Sequence, residues 1–431
     1  MKTLFENCDV LLFDGEKFNV QKNYYLGVNE DKIDYIGAEK PESEYDCKKN
    51  MSGKLLMSGL VNCHNHCPMV LLRGVGSDLP LDKWLFGTVF PIEDKLTPEV
   101  IRAGSYLAIM EMLKGGTVSF SDMYFEPYTT IEAVGESGMR ANITRPVQSF
   151  DPNEKPEDSF RIKESIELYD KYNNAFDGRV LVDFCIHAEY TCTERIAKPY
   201  IDMCNERGGL MHIHLSETEK EHRECIEKYG KTPAQWFNDM GAFDSRSFLA
   251  HCVAVEDSDL DIFKAKNVNV VHNPTSNMKL GSGFAPVQKM LDMGINVALG
   301  TDGAASNNNL DMFEEMHLAS VIHNGYLRDA TVMNADTVIK MATINGAKLQ
   351  GREDCGEIKV GNKADIIAID LDSPHLYPAL DEKALVTYAA QSGDVCMTMV
   401  DGKILYENGE FKTLDKEKIY YDVDKALKVL Y

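Results

Sequence analysis

The chain has no positive charge to spare. Its 431 residues include 45 lysines and arginines against 68 aspartates and glutamates, for a formal net charge of -23. Such a surface repels phosphate backbones, which argues against nucleic-acid binding through a basic footprint. Long apolar runs are also missing. No stretch approaches the roughly 20 residues of a membrane span, so no membrane role is expected. The N-terminal stretch Met1–Asp9 has early acids and no apolar core, which does not fit a signal peptide. The eleven cysteines are odd in number and form no C-x-x-C pair. Scattered thiols suit a reducing cytosol better than a disulfide framework, so a cytoplasmic location is expected. Internal repeats and low-complexity segments are lacking. The acid-rich stretch Asp151–Asp158 reads as a solvated loop.

What is present is an ordinary globular mix, 44% hydrophobic and 26% charged. Between residues 55 and 330, short β-rich runs alternate with helical patterns. The candidate strands are Leu55–Cys63, Thr117–Asp122, Arg140–Val147, Val180–His187, Gly209–Leu215, Ser247–His251, Asn267–His272 and Ile295–Thr301. Eight alternations over about 250 residues predict an α/β fold of the (β/α)8 TIM barrel type. An open, doubly wound sheet is the alternative. It fits less well, because polar residues sit at many strand ends rather than at one crevice. The clearest helix starts at Thr97-Pro98-Glu99, with Thr97 as N-cap, and Gly115-Gly116 ends it.

Both chain ends read as short strands and turns, with Asp14-Gly15 and Asp401-Gly402 as hairpin-type turns. Neither end alone has enough strands for a stable sandwich. Residues 1–54 and 356–431 are therefore expected to form one smaller composite β-sandwich domain, with the barrel over residues 55–355 inserted between them.

The C-terminal strand ends of a barrel form its active face. His64 and His66, two residues apart, share one face of an extended strand and can aim at one metal ion. Cys63 and Cys67 have the opposite parity and are expected to pack away. His187, His214 and His251 end the fourth, fifth and sixth strands, and Asp302 follows the eighth. Five histidines and an aspartate at five strand ends point to an internal metal site rather than to packing. His212 lies deeper along its strand and reads as a core residue. His272 is given no role.

The run Gly59-Leu60-Val61-Asn62-Cys63-His64-Asn65-His66, His214-Leu215-Ser216-Glu217, His251 and Gly300-Thr301-Asp302-Gly303 resemble the amidohydrolase superfamily over almost the whole chain. Trp84, Glu93, Arg145, His187 and the stretch Asn273–Leu280 look like its branch that deaminates S-adenosylhomocysteine and 5′-methylthioadenosine. The resemblance implies metal ligands His64, His66, His214 and Asp302. The fourth strand, Asp183-Phe184-Cys185-Ile186-His187, lacks the lysine that bridges two metals in many relatives, so one divalent ion is expected. Zinc suits imidazole donors best, with iron(II) or manganese as alternatives.

The implied reaction is hydrolytic deamination at C6 of an adenine ring. Glu217 would protonate N1, His251 would orient the nucleophile, and Asp302 would carry its proton to the leaving amine. The resemblance also implies substrate contacts. Glu93 would hold the ribose 2′- and 3′-hydroxyls, and Trp84 would line the sugar side. His187 would bond the nucleoside, while Arg145 and Arg161 would meet a 5′ extension. The expected partner is a small-molecule nucleoside, in a homo-oligomer like similar enzymes. Two further readings stay open: a guanine, triazine or pterin aminohydrolase or chlorohydrolase on the same site, and a catalytically silent metal-binding scaffold.

Overall fold

The computed structural model describes residues 2–79 and 81–431. Eight parallel strands make the barrel: Leu60–Asn65, Thr117–Met123, Arg140–Thr144, Val180–Ile186, Met211–Leu215, Ser247–His251, Asn269–His272 and Val297–Leu299. Each pairs with the next in sequence order. The first three are buried along their whole length, as strands covered on both faces should be.

The first and last strands meet largely through one side chain. The Asn62 amide donates to Thr301 Oγ1 at 2.7 Å and accepts from the Thr301 backbone N–H at 3.0 Å. The Asp302 N–H donates to the His64 carbonyl at 2.9 Å. Gly300 is required at this seam, because a Cβ there would lie 2.8 Å from the His64 backbone nitrogen. Thr97 caps the helix Pro98–Lys114 by accepting from the Val100 N–H, and Gly115 ends it, as the sequence predicts.

The chain ends together build one nine-stranded mixed sheet. Its N-terminal strands are Lys2–Phe13, Phe18–Asn29, Lys32–Gly37, Cys47–Asn50 and Lys54–Ser58; its C-terminal strands are Ile366–Asp370, Val395–Val400, Lys403–Glu407 and Glu410–Phe411. Phe5, Val10, Leu26, Leu56, Ile366 and Met397 belong to a separate core that draws on both ends. Asp401 and Gly402 form the expected two-residue hairpin turn, with φ of 49° and 69°.

Three sequence boundaries are corrected. The expected strand Leu55–Cys63 is two strands. Lys54–Ser58 pairs with Ile366–Asp370 in the terminal sheet, and only Leu60–Asn65 belongs to the barrel. Both halves are apolar, so the pattern does not mark the change, which falls at Gly59. A Cβ on Gly59 would fall 2.2 Å from a Val118 methyl. The expected strand Arg140–Val147 is interrupted after Thr144, around Pro146, which has no N–H to donate, and pairs with the fourth strand again at Val147, which bridges to Ile186. Finally, the C-terminal helix Lys416–Leu430 packs along the barrel helix Pro98–Lys114, although the sequence reading grouped residues 356–431 with the β domain.

Arg140 ties the two parts together. It opens the third barrel strand and donates to Asp365 at 2.6 and 3.2 Å and also to Asp401, both from the C-terminal segment. The Arg140 and Asp365 side chains are only 3% and 2% exposed, so the pair is desolvated. Burial pushes the Asp365 carboxyl up, but Arg140 outweighs it and holds it below its ordinary value. The pair therefore stabilises the fold above the usual carboxylate range, and that contribution is lost as pH falls through the depressed value. Asp365→Asn should destabilise the protein by about 3 kcal/mol at neutral pH. An unchanged midpoint in chemical denaturation would refute this role.

Candidate metal centre and active site

The strand-end residues converge. His64 Nε2 lies 3.2 Å from His214 Nε2 and 3.3 Å from Asp302 Oδ1, and His66 Nε2 lies 3.1 Å from the same oxygen. The ligand atoms of His64, His66 and His214 all fall within 4.8 Å of one another. A tetrahedral ion with bonds of about 2.0–2.1 Å has donor–donor edges of about 3.3 Å. The observed separations match such edges.

The outer ring nitrogens explain why the inner ones face each other. His66 Nδ1 donates to the Met123 carbonyl at 2.6 Å, and His214 Nδ1 to the His187 carbonyl at 3.0 Å. His64 Nδ1 shares a hydrogen with His212 Nε2 at 2.9 Å. With hydrogens on Nδ1, three Nε2 lone pairs crowd one point, an arrangement that a cation relieves. Asp302 supplies the negative partner. Its Oδ2 accepts from Ser276 at 2.6 Å and Ser306 at 2.8 Å, and its Oδ1 accepts from the Gly303 N–H at 2.8 Å. Burial opposes the charge on Asp302 and on His66, but each sustains the other. The Asp302 carboxyl is held well below its ordinary range and the His66 imidazole is raised to about 9. His64, wholly buried, is lowered to about 4. The donor chemistry fits a divalent ion.

His251 and Glu217 stand beside this cluster, with His251 Nε2 3.9 Å from Glu217 Oε2. His251 Nδ1 donates to Asn277 Oδ1 at 2.8 Å, which aims Nε2 at the site. Ser216, His251 and Asp302 all have left-handed backbones, with φ of 47°, 73° and 62°. Strain of this kind in non-glycine residues concentrates at working sites. The alternative role for Glu217, a helix-start acid, is already filled. Thr218 caps the helix Glu219–Tyr229, and the Glu221 carboxylate accepts from the N–H groups of Ser216 and Glu217 at 2.8 and 2.7 Å. Glu217 thus stays free to face the cavity, where burial raises its pKa.

The cavity encloses about 690 Å3 of space, part of it open to solvent. Its lining includes His66, His187, His214, Glu217, His251 and Asp302 from the strand ends. It also includes Trp84, Leu85, Val89, Phe90 and Glu93 from a helical segment that follows the first strand. That segment carries a π-helical turn over Leu85–Val89, a distortion often found at functional sites. Glu93 accepts from the Tyr124 hydroxyl at 2.7 Å, and burial raises its carboxyl to about 7 despite that bond. Trp84 is buried with no partner for its indole N–H among the described residues, whereas buried indoles usually find one.

Nine of the eleven expected site residues gather at the donor cluster and its cavity; the two arginines do not line the cavity. Arg145 is buried and paired with Glu164, and Arg161 stacks on Phe160 with its guanidinium 4.6 Å from the ring. Cys63 and Cys67 are buried, free and outside the donor cluster, as expected. His272 pairs with His323 at 3.1 Å. Sequence reasoning missed the supporting residues His212, Tyr124, Ser276, Asn277 and Ser306. Ser276 and Asn277 fall inside the quoted stretch Asn273–Leu280. His212 had the right parity but was assigned to the core.

Barrel and donor cluster together define the class: a barrel hydrolase that holds a divalent metal. The model of the amidohydrolase family matches residues 55–405, and the chain belongs to that family. A 5-methylthioadenosine/S-adenosylhomocysteine deaminase of Acetivibrio thermocellus is 45% identical over 434 residues, covering 99% of both chains. A 5′-deoxyadenosine deaminase of Methanosarcina mazei is 40% identical over 427 residues, covering 99% of this chain and 98% of the other. The crystal structure of an adenosine deaminase from Xanthomonas campestris with bound zinc superposes with a TM-score of 0.94 at 29% identity, covering 99% and 98% of the chains.

His212→Gln should keep the fold but weaken divalent-metal affinity by about 10–100-fold, because the His64 ring loses its orienting partner. Competition with a chromophoric chelator measures this, and unchanged affinity would remove His212 from the site.

Proposed function

We propose that this chain is a hydrolytic deaminase of adenosine derivatives, releasing ammonia and the inosine analogue. The observation that carries the reading is Glu93. It is a half-buried carboxylate, fixed by Tyr124, on the cavity wall formed by the helical segment after the first strand. One acid at a distance from the chemistry suits the paired hydroxyls of a ribose. A free base or a triazine would leave it nothing to hold. A silent scaffold would have no use for Glu217 and His251 beside the donor cluster.

His64, His66, His214 and Asp302 would hold the ion, zinc best matching three imidazoles; when bound, it supplies the Lewis acidity that ionises water near neutral pH. The chain's own groups then handle the protons. Burial keeps a proton on Glu217 closer to neutral pH than an exposed glutamate would, so it can donate to N1 of the ring. His251, aimed by Asn277, accepts a hydrogen bond from the attacking water and orients it. Asp302, steadied by Ser276 and Ser306, takes the water's proton and passes it to the departing amine. Glu93 accepts from the two ribose hydroxyls, Trp84 offers its indole N–H on the sugar side, and His187 bonds the nucleoside. Leu85, Phe90 and Leu280 close the apolar walls.

A panel of adenosine, 5′-deoxyadenosine, 5′-methylthioadenosine, S-adenosylhomocysteine and guanine, assayed for ammonia, tests the reading. Release from nucleosides and none from guanine is expected; the reverse would overturn it. Glu217→Gln should lower kcat by about 10²–10⁴ with metal content intact. Glu93 must be ionised to accept both hydroxyls, and its carboxyl titrates at about 7. KM for nucleosides should therefore rise as pH falls through that value, by up to about tenfold per pH unit. Glu93→Gln should flatten that limb, and a retained slope would assign it elsewhere.

A further inference from the structure

The proposed chemistry leans on two short stretches of chain. The helix Pro274–Lys279 carries Ser276, which donates to Asp302 Oδ2 at 2.6 Å, and Asn277, which accepts from His251 Nδ1 at 2.8 Å. The loop after the eighth strand carries Asp302 and also Ser306, which donates to the same oxygen at 2.8 Å. The helix has no cap of its own. Asn273 at its N-cap makes no side-chain capping bond, and Pro274 has no N–H. Thr275 therefore presents the first N–H of the helix, and Glu315 Oε2 accepts it at 3.2 Å. Glu315 stands in the first turn of a different helix, Met312–Leu327, and is wholly buried. Its second oxygen, Oε1, accepts from Asn307 Nδ2 at 2.6 Å, and the same nitrogen donates to the Thr301 carbonyl at 2.7 Å. One carboxyl group thus spans both stretches. Burial pushes it up to about 8 even with these donors in place. An apolar side chain would carry no such desolvation cost, so packing alone does not account for it.

We infer that Glu315 is a positioning residue for the deamination: it caps the helix Pro274–Lys279 from outside, ties it to the Asp302 loop, and so fixes where Asp302 and His251 point. This rests on the deaminase reading above. Glu315 lies outside the cavity lining and the donor cluster. It acts through Thr275 on Ser276 and Asn277, and through Asn307 on Thr301 and Ser306. Both of its oxygens face N–H donors, so a glutamine of the same shape would set its own N–H groups against one of them. One tie then breaks, and the helix and the loop lose their fixed spacing.

The test is Glu315→Gln, assayed as metal-loaded enzyme with the most active nucleoside of the panel above. Its kcat should fall by at least about tenfold, while KM, set on the Glu93 side of the cavity, stays within about threefold. Competition for zinc with a chromophoric chelator needs no turnover and should show affinity down by about tenfold, because Asp302 is no longer held in place. Either kcat or zinc affinity left unchanged would overturn the inference. Ser276→Ala separates positioning from general support. If Glu315 works through Ser276, the kcat loss of the double variant falls well short of the product of the two single losses. A purely structural Glu315 gives the full product, which would also overturn the inference. Asn307→Ala, which leaves Glu315 on Thr275, is the second variant should Glu315→Gln not fold; it should lower kcat and zinc affinity in the same direction, and parent values for both would overturn the inference. Ammonia from no nucleoside with the parent enzyme would overturn the deaminase reading itself, and zinc affinity would then judge the hold of Glu315 on Asp302.

Discussion

Four donor atoms from distant parts of the chain converge on one point, with separations of 3.2 Å for His64–His214, 3.3 Å for His64–Asp302 and 3.1 Å for His66–Asp302. Asp302 offsets the crowding of the three imidazole nitrogens, and the surrounding hydrogen bonds hold the donors in place. Each donor is pinned by a neighbour rather than by its own strand. His66 leans on the carbonyl that ends the second strand, His64 on the fifth strand, and His214 on the residue after the fourth. Asp302 leans on Ser276, beyond the seventh. The hydrogen bonds thus run around the barrel mouth, and barrel register and donor geometry are one constraint. The left-handed backbones at His251 and Asp302, at about 1–3 kcal/mol each, are tolerated because this ring of bonds over-determines them.

The second constraint is electrostatic isolation. His64, His214, Glu217 and Asp302 are all buried, and the acids and bases there differ in protonation because their neighbours differ. Glu217 and Asp302 share the same cavity. The former is pushed up by burial, while the latter is pulled down by two imidazoles. Two carboxylates with opposite tendencies are what a reaction with one proton donor and one proton acceptor requires.

Much of this was legible in the residues. Period and length predicted the barrel, because buried parallel strands read as apolar runs between helical stretches. Parity predicted which of His64, His66, Cys63 and Cys67 face inward. The boundary at Gly59 was not legible, since Leu55–Leu56–Met57 and Leu60–Val61 are equally apolar and only pairing partners 300 residues away tell them apart. Supporting residues were harder for the same reason. Tyr124 and Asn277 are defined by what lies across the cavity from them, which no local pattern encodes. The arginines show the converse. Arg145 stands at a strand end where a substrate contact was expected, yet Glu164 on the following helix claims it.

The terminal sheet sets an order of events during synthesis. Lys54–Ser58 leaves the ribosome early, but its antiparallel neighbour Ile366–Asp370 is translated only after the whole barrel. The barrel strands can therefore begin to pair while their entry strand still has one open edge. An unpaired apolar edge on a nascent chain invites misassociation, so folding of this protein is exposed until Ile366–Asp370 emerges.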